Sequence, residues 1–370
     1  MSPIRRPGTS PTLTIEHSPA YELLHVIVVT LDDSDTFEIG PEWVQEARSR
    51  AGDALLARTR EISLGDEDTF HHLVALAYDT PAPRDIPAFL DHLRGTDADE
   101  IRLHLVQFYA RETRRMTPAA VIRAAVGGDP DARAEFLRTC HPDHEEWNDY
   151  LRRVLDVDAE AFKAELIDVL EAWHERVWKP ESLTILPILE RDADAKRELR
   201  RDLPIDRFVV AATNGVEYAP RPGIDRLVMI PSFVSRPVVS FVEFGAVFII
   251  VYPVADESIS FERDVPPPRL VRLSKALGDE KRLRILRALA DGEKSLMELA
   301  DMFGVAKTTM HHHMIVLRSA GLISVATDKK RYRLRHETVP DVGALLNEFL
   351  GAAPEGNTAE RSTPKVASGR

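Results

Sequence analysis

Residues Ser295 to Arg335 read SLMELADMFGVAKTTMHHHMIVLRSAGLISVATDKKRYRLR, and this stretch decides the fold of the region around it. Ser295 and Glu298 have the S-x-x-E spacing of a capping box, which fixes a helix start. Leu296, Leu299 and Ala300 then fall on one inward side. Gly304 supplies the positive φ that a tight helix-helix turn needs. A second helix is expected from Ala306 to about Ala320, with Met310, Met314 and Leu317 facing the core at spacings of four and three. Gly321 ends it. Leu322 to Thr327 and Tyr332 to Leu334 read as two strands around Asp328-Lys329-Lys330-Arg331.

Upstream, Asp279 is a good N-cap for a helix from Glu280 to Ala290, with Leu286 and Leu289 on its apolar side and Leu283 and Ile285 near them. Two short helices around a tight turn, followed by a basic hairpin, describe a winged helix-turn-helix, which lays its second helix in the DNA major groove. Lys307, Thr308, Thr309, His311 and His312 are the expected groove-facing residues. Arg318, Lys329, Lys330, Arg331 and Arg333 are expected to meet phosphates or the adjacent minor groove. The triplet His311-His312-His313 invites a metal reading. Consecutive helical residues point about 100° apart, so three adjacent histidines do not converge on one ion, and no metal site is expected.

The run KALGDEKRLRILRALADGEKSLMELADMFGVAKTTMHHHMIVLRSAGLIS resembles the winged-helix domain of the ArsR/SmtB family of bacterial transcription regulators. The resemblance covers about residues 269 to 350. It implies a homodimer on a palindromic operator, most often a repressor released by a ligand. The dimer contact would come from the helix near Leu270 to Leu277 and from the last helix, Val339 to Leu350. Where metal-sensing members carry a cysteine motif, this chain has Ser295 to Leu299 without cysteine. Where they place acids and histidines on the last helix, it offers only Asp341 and Glu348. Metal sensing at either family site is therefore not expected. The N-terminal region more loosely resembles the extension of long ArsR-like regulators, through LVMIPSFVSRP and the following IIVYP.

The chain has 370 residues and a net charge of −12, but the charge is unevenly spread. Residues 266 to 350 hold 15 Lys+Arg against 10 Asp+Glu, whereas residues 1 to 265 hold 30 against 48. A basic patch on an acidic body suits specific rather than indiscriminate DNA binding, because the body repels phosphate wherever the patch is not docked. Cys140 is the only cysteine, which excludes an intrachain disulfide and a thiolate-rich metal site. The opening MSPIRRPGTS is polar, and no cleavage pattern follows the apolar run Leu23 to Leu31. The longest apolar run, Ala246 to Val254, is far short of the ~20 residues of a membrane helix. A cytoplasmic protein is expected, with no membrane partner.

Residues 1 to 16 are rich in Pro, Ser and Thr and are expected to be disordered. A helical N-terminal domain is expected over 17 to 203. Val26 to Leu31 reads as one strand. Helices follow from Glu42 to about Thr59, Phe70 to Tyr78, Ile86 to Leu93, Glu100 to Arg111, Pro118 to Val126, Asp131 to Thr139 and Glu145 to Leu155. The longest runs from Ala159 to Trp178 and is stopped by Pro180. Over 204 to 265, Phe208 to Ala212, Arg226 to Pro231, Val238 to Phe244 and Val247 to Tyr252 read as strands of a small sheet packing on that domain. Pro266-Pro267-Pro268 marks a stiff linker into a winged-helix domain over 266 to 350, and 351 to 370 is expected to be a disordered tail. The fold class is thus mainly α with small β elements: a helical N-terminal region plus a small sheet, and a C-terminal winged helix-turn-helix.

Cys140-His141-x-x-His144-Glu145 is the other cluster with ligand-like chemistry and reads as an exposed helix-start loop. Trp43, Trp147, Trp173 and Trp178, with Phe162 and Tyr150, read as core. G-x-G-x-x-G, P-loop, HExxH and G-x-S-x-G signatures are absent, so no catalytic residue and no cofactor is assigned. The expectation is a dimeric, sequence-specific DNA-binding regulator, a repressor, with a small-molecule effector as candidate ligand of the N-terminal region and an inverted repeat of double-stranded DNA as target. The alternatives are an enzyme or a protein-interaction scaffold fused to the winged helix.

Overall fold

The computed structural model describes residues 11–33, 36–66, 69–112, 117–140, 145–259, 266–336 and 341–350. The chain divides into two compact units, and the division is not a single cut. Unit 1 takes the described residues up to Ile259 together with Val325–Arg331; unit 2 takes those from 266 to Ser324 and from Tyr332 onward.

Unit 1 begins with β1 (Thr12–Ile15), α1 (Pro19–Leu31), α2 (Pro41–Ala51), α3 (Asp53–Ile62), α4 (Thr69–His72), α5 (Val74–Asp79), α6 (Ile86–Gly95), α7 (Ala98–Glu112), α8 (Ala119–Val126), α9 (Pro130–Cys140) and α10 (Glu145–Asp156). It continues with α11 (Ala159–Trp173), a π-helical turn (His174–Trp178), α12 (Lys179–Asp202), α13 (Ile205–Thr213), β2 (Val216–Glu217), β3 (Arg226–Ser232), β4 (Ser240–Phe244) and β5 (Val247–Pro253). One sheet has the order β1-β3-β5-β4, parallel except for β4, which runs antiparallel to β5. Its central strands are buried along nearly their whole length, as expected for a parallel sheet covered on both faces. The period-2 alternation sorts their side chains between two cores. Val228, Ile230, Ile249 and Val251 join a core shared with α1 and most of the following helices. Leu227, Met229, Phe248 and Ile250 join a second core with Phe208, Val209 and Ala212 of α13.

Several expectations are corrected here. Val26 to Leu31 is not a strand but the second half of α1. Ser18 caps that helix through its side chain, Pro19 opens it, and all but two of its 13 residues are buried. A helix apolar on every side has no period to read, and its Val/Ile content imitates a strand. Phe208 to Ala212 belongs to α13, whose buried Phe208, Val209, Ala212 and Thr213 form one face and whose end is set by Asn214 in the left-handed region. Residues 12–15 of the stretch expected to be disordered form β1, in parallel register with β3 from Thr12↔Arg226 to Ile15↔Met229. Residues 1–10 and the expected tail from 351 lie outside the described residues.

The helix expected from Glu42 to Thr59 is broken at Gly52, which has φ 75°. Pro180 does not stop the long helix. A proline ring clashes with the carbonyl four residues back; here the preceding turn widens, the Lys179 N–H bonds to His174 O five residues back, and the helix resumes as α12. Trp173 and Trp178 are buried as expected, and Trp173 Nε1 donates to Thr59 Oγ1 at 2.9 Å. Trp43 is half-buried and donates to Glu181 Oε2 at 2.9 Å. The Trp147 side chain lies outside the described residues.

Unit 1 also buries titratable groups around α1 and α4. Glu22 Oε1 accepts the N–H groups of Phe233 and Val234, both at 2.9 Å, and burial pushes its carboxyl up to about 7. Burial holds His25 and His72 down at about 4 and lowers His71 as well, where His25 and His72 add repulsion. The unfolded chain therefore takes up protons on these histidines below about 6.5, while the folded one keeps His25 and His72 neutral until about 4 and His71 neutral well below the usual value, so they remove stability as pH falls through that window. Glu22 acts with the opposite sign: its contribution is full below about 4.5 and is lost as pH rises through about 7. His25 and His72 against Glu22 leave a net loss of at least about 1 kcal/mol per pH unit between pH 6 and 5, and His71 acts in the same direction. Urea unfolding at the two pH values reads this directly, and a stability that rises on acidification is incompatible with these neutral buried histidines.

Unit 2 is built from α14 (Pro268–Leu277), α15 (Glu280–Ala290), β6 (Lys294–Ser295), α16 (Leu296–Phe303), α17 (Lys307–Ser319), β7 (Ile323–Ala326), β8 (Arg331–Leu334) and α18 (Asp341–Phe349), with the end of β7 and the first residue of β8 counted in unit 1. Its core gathers Leu273, Ile285, Leu289, Leu299, Met310, Met314 and Leu317. The proline run is shorter as a linker than expected, because Pro268 already opens α14. Among the described residues no helix is long and apolar enough to cross a membrane.

Candidate nucleic-acid interface

The reading helix is placed by a series of local signals. Asp279 caps α15, its Oδ1 accepting the Arg282 N–H at 2.8 Å; that bond and the Arg282 charge lower its carboxyl pKa. Arg282 in turn donates from Nε to Ala276 O and from Nη2 to Lys275 O, closing α15 against the end of α14. Of the leucines expected inward on α15, Leu289 is buried, Leu286 is partly buried and Leu283 is exposed; Ile285 with Leu289 makes the true i, i+4 core pair. The capping box on α16 closes both ways: Ser295 N–H donates to Glu298 Oε2 at 2.6 Å and Glu298 N–H donates to Ser295 Oγ at 3.2 Å. Gly304 adopts φ 60°, ψ 40° and turns the chain into α17. Each of Asp279→Ala and Ser295→Ala is expected to cost about 1 kcal/mol of unit 2 stability. Chemical denaturation checks this, and no change in either variant contradicts the capping role.

On α17, Met310, Met314 and Leu317 are buried as expected, and His313 joins them. Lys307, Thr308, Thr309, His311 and His312 are all exposed, so the helix start presents one contiguous polar row. Ala306 offers no side-chain cap to this helix, which leaves the first-turn amides to other acceptors, and a phosphate is a suitable one. Desolvation, together with the nearby Arg318 and Lys307 charges, lowers the His311 pKa, which favours the neutral ring, able both to donate and to accept. The rings of His312 and His313 lie 6.4 Å apart at 62°, splayed as adjacent helix positions require.

The hairpin forms close to its expected bounds. Lys329 and Lys330 are exposed at its tip, Lys330 with φ 48°. Arg331 is half-buried; Arg333 is exposed, its Nε donating to Ser324 Oγ at 3.0 Å across the hairpin. Arg318 is a correction: at 6% exposed it does not present its charge to a phosphate. It sits near Tyr332, and burial lowers its pKa to about 10, leaving it a buried cation at neutral pH. Its position on α17 follows Met314 and Leu317 onto the core side, a consequence of helical phase that its charge conceals.

The remaining candidate ligands are dispersed. Cys140 is buried at the end of α9 and burial pushes its thiol up to about 12, whereas His141 and His144 lie outside the described residues, as do the side chains of Asp341 and Glu348. Two features escaped the sequence: the inward turn of His313, and the pairing of β2 with β7 inside unit 1, Val216↔Val325 and Glu217↔Ala326 in parallel. A two-residue strand has no period, so nothing in the sequence marks it.

Residues 279–325 match the family model described as bacterial regulatory protein, arsR family. Over 80 residues the chain is 34% identical to HTH-type transcriptional regulator Rv0324 of Mycobacterium tuberculosis (strain ATCC 25618 / H37Rv), which covers 21% of this chain and 35% of that protein. The chain thus spans about a third of the length of this curated relative. No solved structure matches the chain.

Proposed function

Residues 279–325 form an ArsR-type helix-turn-helix, and from that premise we propose that the protein is a sequence-specific, DNA-binding transcription regulator of the cytoplasm. The observation that carries this reading is the exposed row Lys307, Thr308, Thr309, His311 and His312, held on α17 opposite a buried Met310-Met314-Leu317 ridge. Such a row reaches base edges in a major groove, while the hairpin cations meet phosphate. The regulator acts as a homodimer on an inverted repeat and as a repressor, and unit 1 supplies the response to a small-molecule effector. No catalytic step and no cofactor belong to this reading. Exposed Val271 on α14 and Leu346 and Phe349 on α18, two helices packed on each other, support the dimer.

Selection from a random duplex pool with the purified full chain tests it. Enrichment of an inverted repeat, with half-sites about one helical turn apart, is the expected result. Salt-sensitive binding with no enriched sequence would remove the specific-regulator reading.

A further inference from the structure

The tip of the wing belongs, by packing, to unit 1: residues Val325–Arg331 group there and not with α17. Backbone pairing is the reason. Val325 N–H donates to Gly215 O and Thr327 N–H donates to Glu217 O, both at 2.9 Å. The Thr327 hydroxyl accepts the Ala219 N–H at 3.1 Å. Arg221 adds a side-chain clamp, its Nη2 donating to Thr327 O at 2.9 Å and its Nη1 to Glu243 Oε2 at 3.2 Å. Its guanidinium lies 4.5 Å from the Phe248 ring centroid. One side chain therefore joins β4, β5 and the end of β7. Val325 packs onto the second core of unit 1, and Thr327 is buried.

The hairpin has β6 beside β8 on one edge, and β2 adds a strand along the edge of β7, where each added strand further restricts its shape. Lys329 and Lys330 follow Thr327 by two and three residues, and Lys330 N–H closes the turn onto Ala326 O at 3.0 Å. Fixing Thr327 therefore fixes the base of the cationic turn. We propose that β2 and Arg221 are positioning elements for the tip of the wing: within unit 1 they hold Val325–Thr327 by strand pairing and a side-chain clamp, and so set how Lys329 and Lys330 meet the phosphate backbone. This rests on the DNA-binding reading above.

The test compares the full chain with an Arg221→Ala, Thr327→Val double variant and with Thr327→Val alone, a near-isosteric change that keeps the question open should the double variant not fold. Two readouts are needed: amide hydrogen exchange at Val325 and Thr327 in the free protein, and the salt dependence of binding to selected DNA. The expected result is faster exchange at both amides, affinity lower by about tenfold, a log–log salt slope shallower by about two, and an unchanged ranking of operator variants. Faster exchange with an unchanged slope would overturn the positioning role, as would wild-type amides at Val325 and Thr327 that exchange like an open loop. Absence of DNA binding by the wild type would instead remove the functional reading, and exchange at Val325 and Thr327 would still decide whether unit 1 holds the wing.

Discussion

Replacing Lys329, Lys330 and Arg331 together by alanine is expected to weaken binding to every DNA sequence alike and to make the salt slope shallower by two to three. Each cation that neutralises one phosphate releases condensed counterions and contributes about 0.9 to that slope. The wing tip concentrates these three cations over consecutive residues, two of them exposed and one half-buried. Thr308→Ala is the counterpart. Thr308 stands in the exposed row at the start of α17, and in the proposed reading its hydroxyl and methyl address base edges rather than phosphate. Its loss should change which sequences are preferred, by about 1–3 kcal/mol at one position, and leave the slope in place. Titrations at several salt concentrations on the selected operator and on single-base variants separate the two effects. Equal loss of preference from the wing variant would defeat this division of labour.

Trp173→Ala is expected to destabilise unit 1 by about 3–5 kcal/mol, the cost of emptying a large aromatic site in a close-packed core. Trp173 is fully buried at the junction of α11 and α3, and its Nε1–H is satisfied by Thr59 Oγ1. That hydroxyl keeps its own bond to Leu55 O at 2.6 Å, so the loss is chiefly of packing and of one acceptor contact. Against typical domain stabilities of about 5–15 kcal/mol, the variant should unfold at markedly lower urea. A loss below about 1 kcal/mol would contradict the close packing of the buried Trp173 against Thr59 of α3. The matching substitution in unit 2, Met314→Ala, should cost about 2–5 kcal/mol and abolish DNA binding with it, because Met314 seats the reading helix.

Local signals made the C-terminal region legible. A capping box, a left-handed glycine and a four-three apolar spacing each act within a few residues, and Ser295, Gly304 and Met310 behave as their sequence neighbourhood requires. The same logic failed for Arg318, where charge argued for the surface and helical phase placed it inside. It failed for α1 and α13, whose Val-rich runs look like strands because each is buried by neighbours distant in sequence. It also failed at Pro180, where a π turn absorbs the proline that was expected to end the helix.

By itself, then, the sequence determined the winged helix-turn-helix, the exposed polar row on α17 and the cationic tip, because caps, turns and helical period are short-range physics. The tertiary structure alone decided that Val26 to Leu31 is helical, that Thr12–Ile15 closes a parallel sheet, that Arg318 turns inward and that the wing is paired to β2. Each of these depends on which distant surface is available to bury a side chain or pair a backbone edge, and no window of neighbouring residues contains that information.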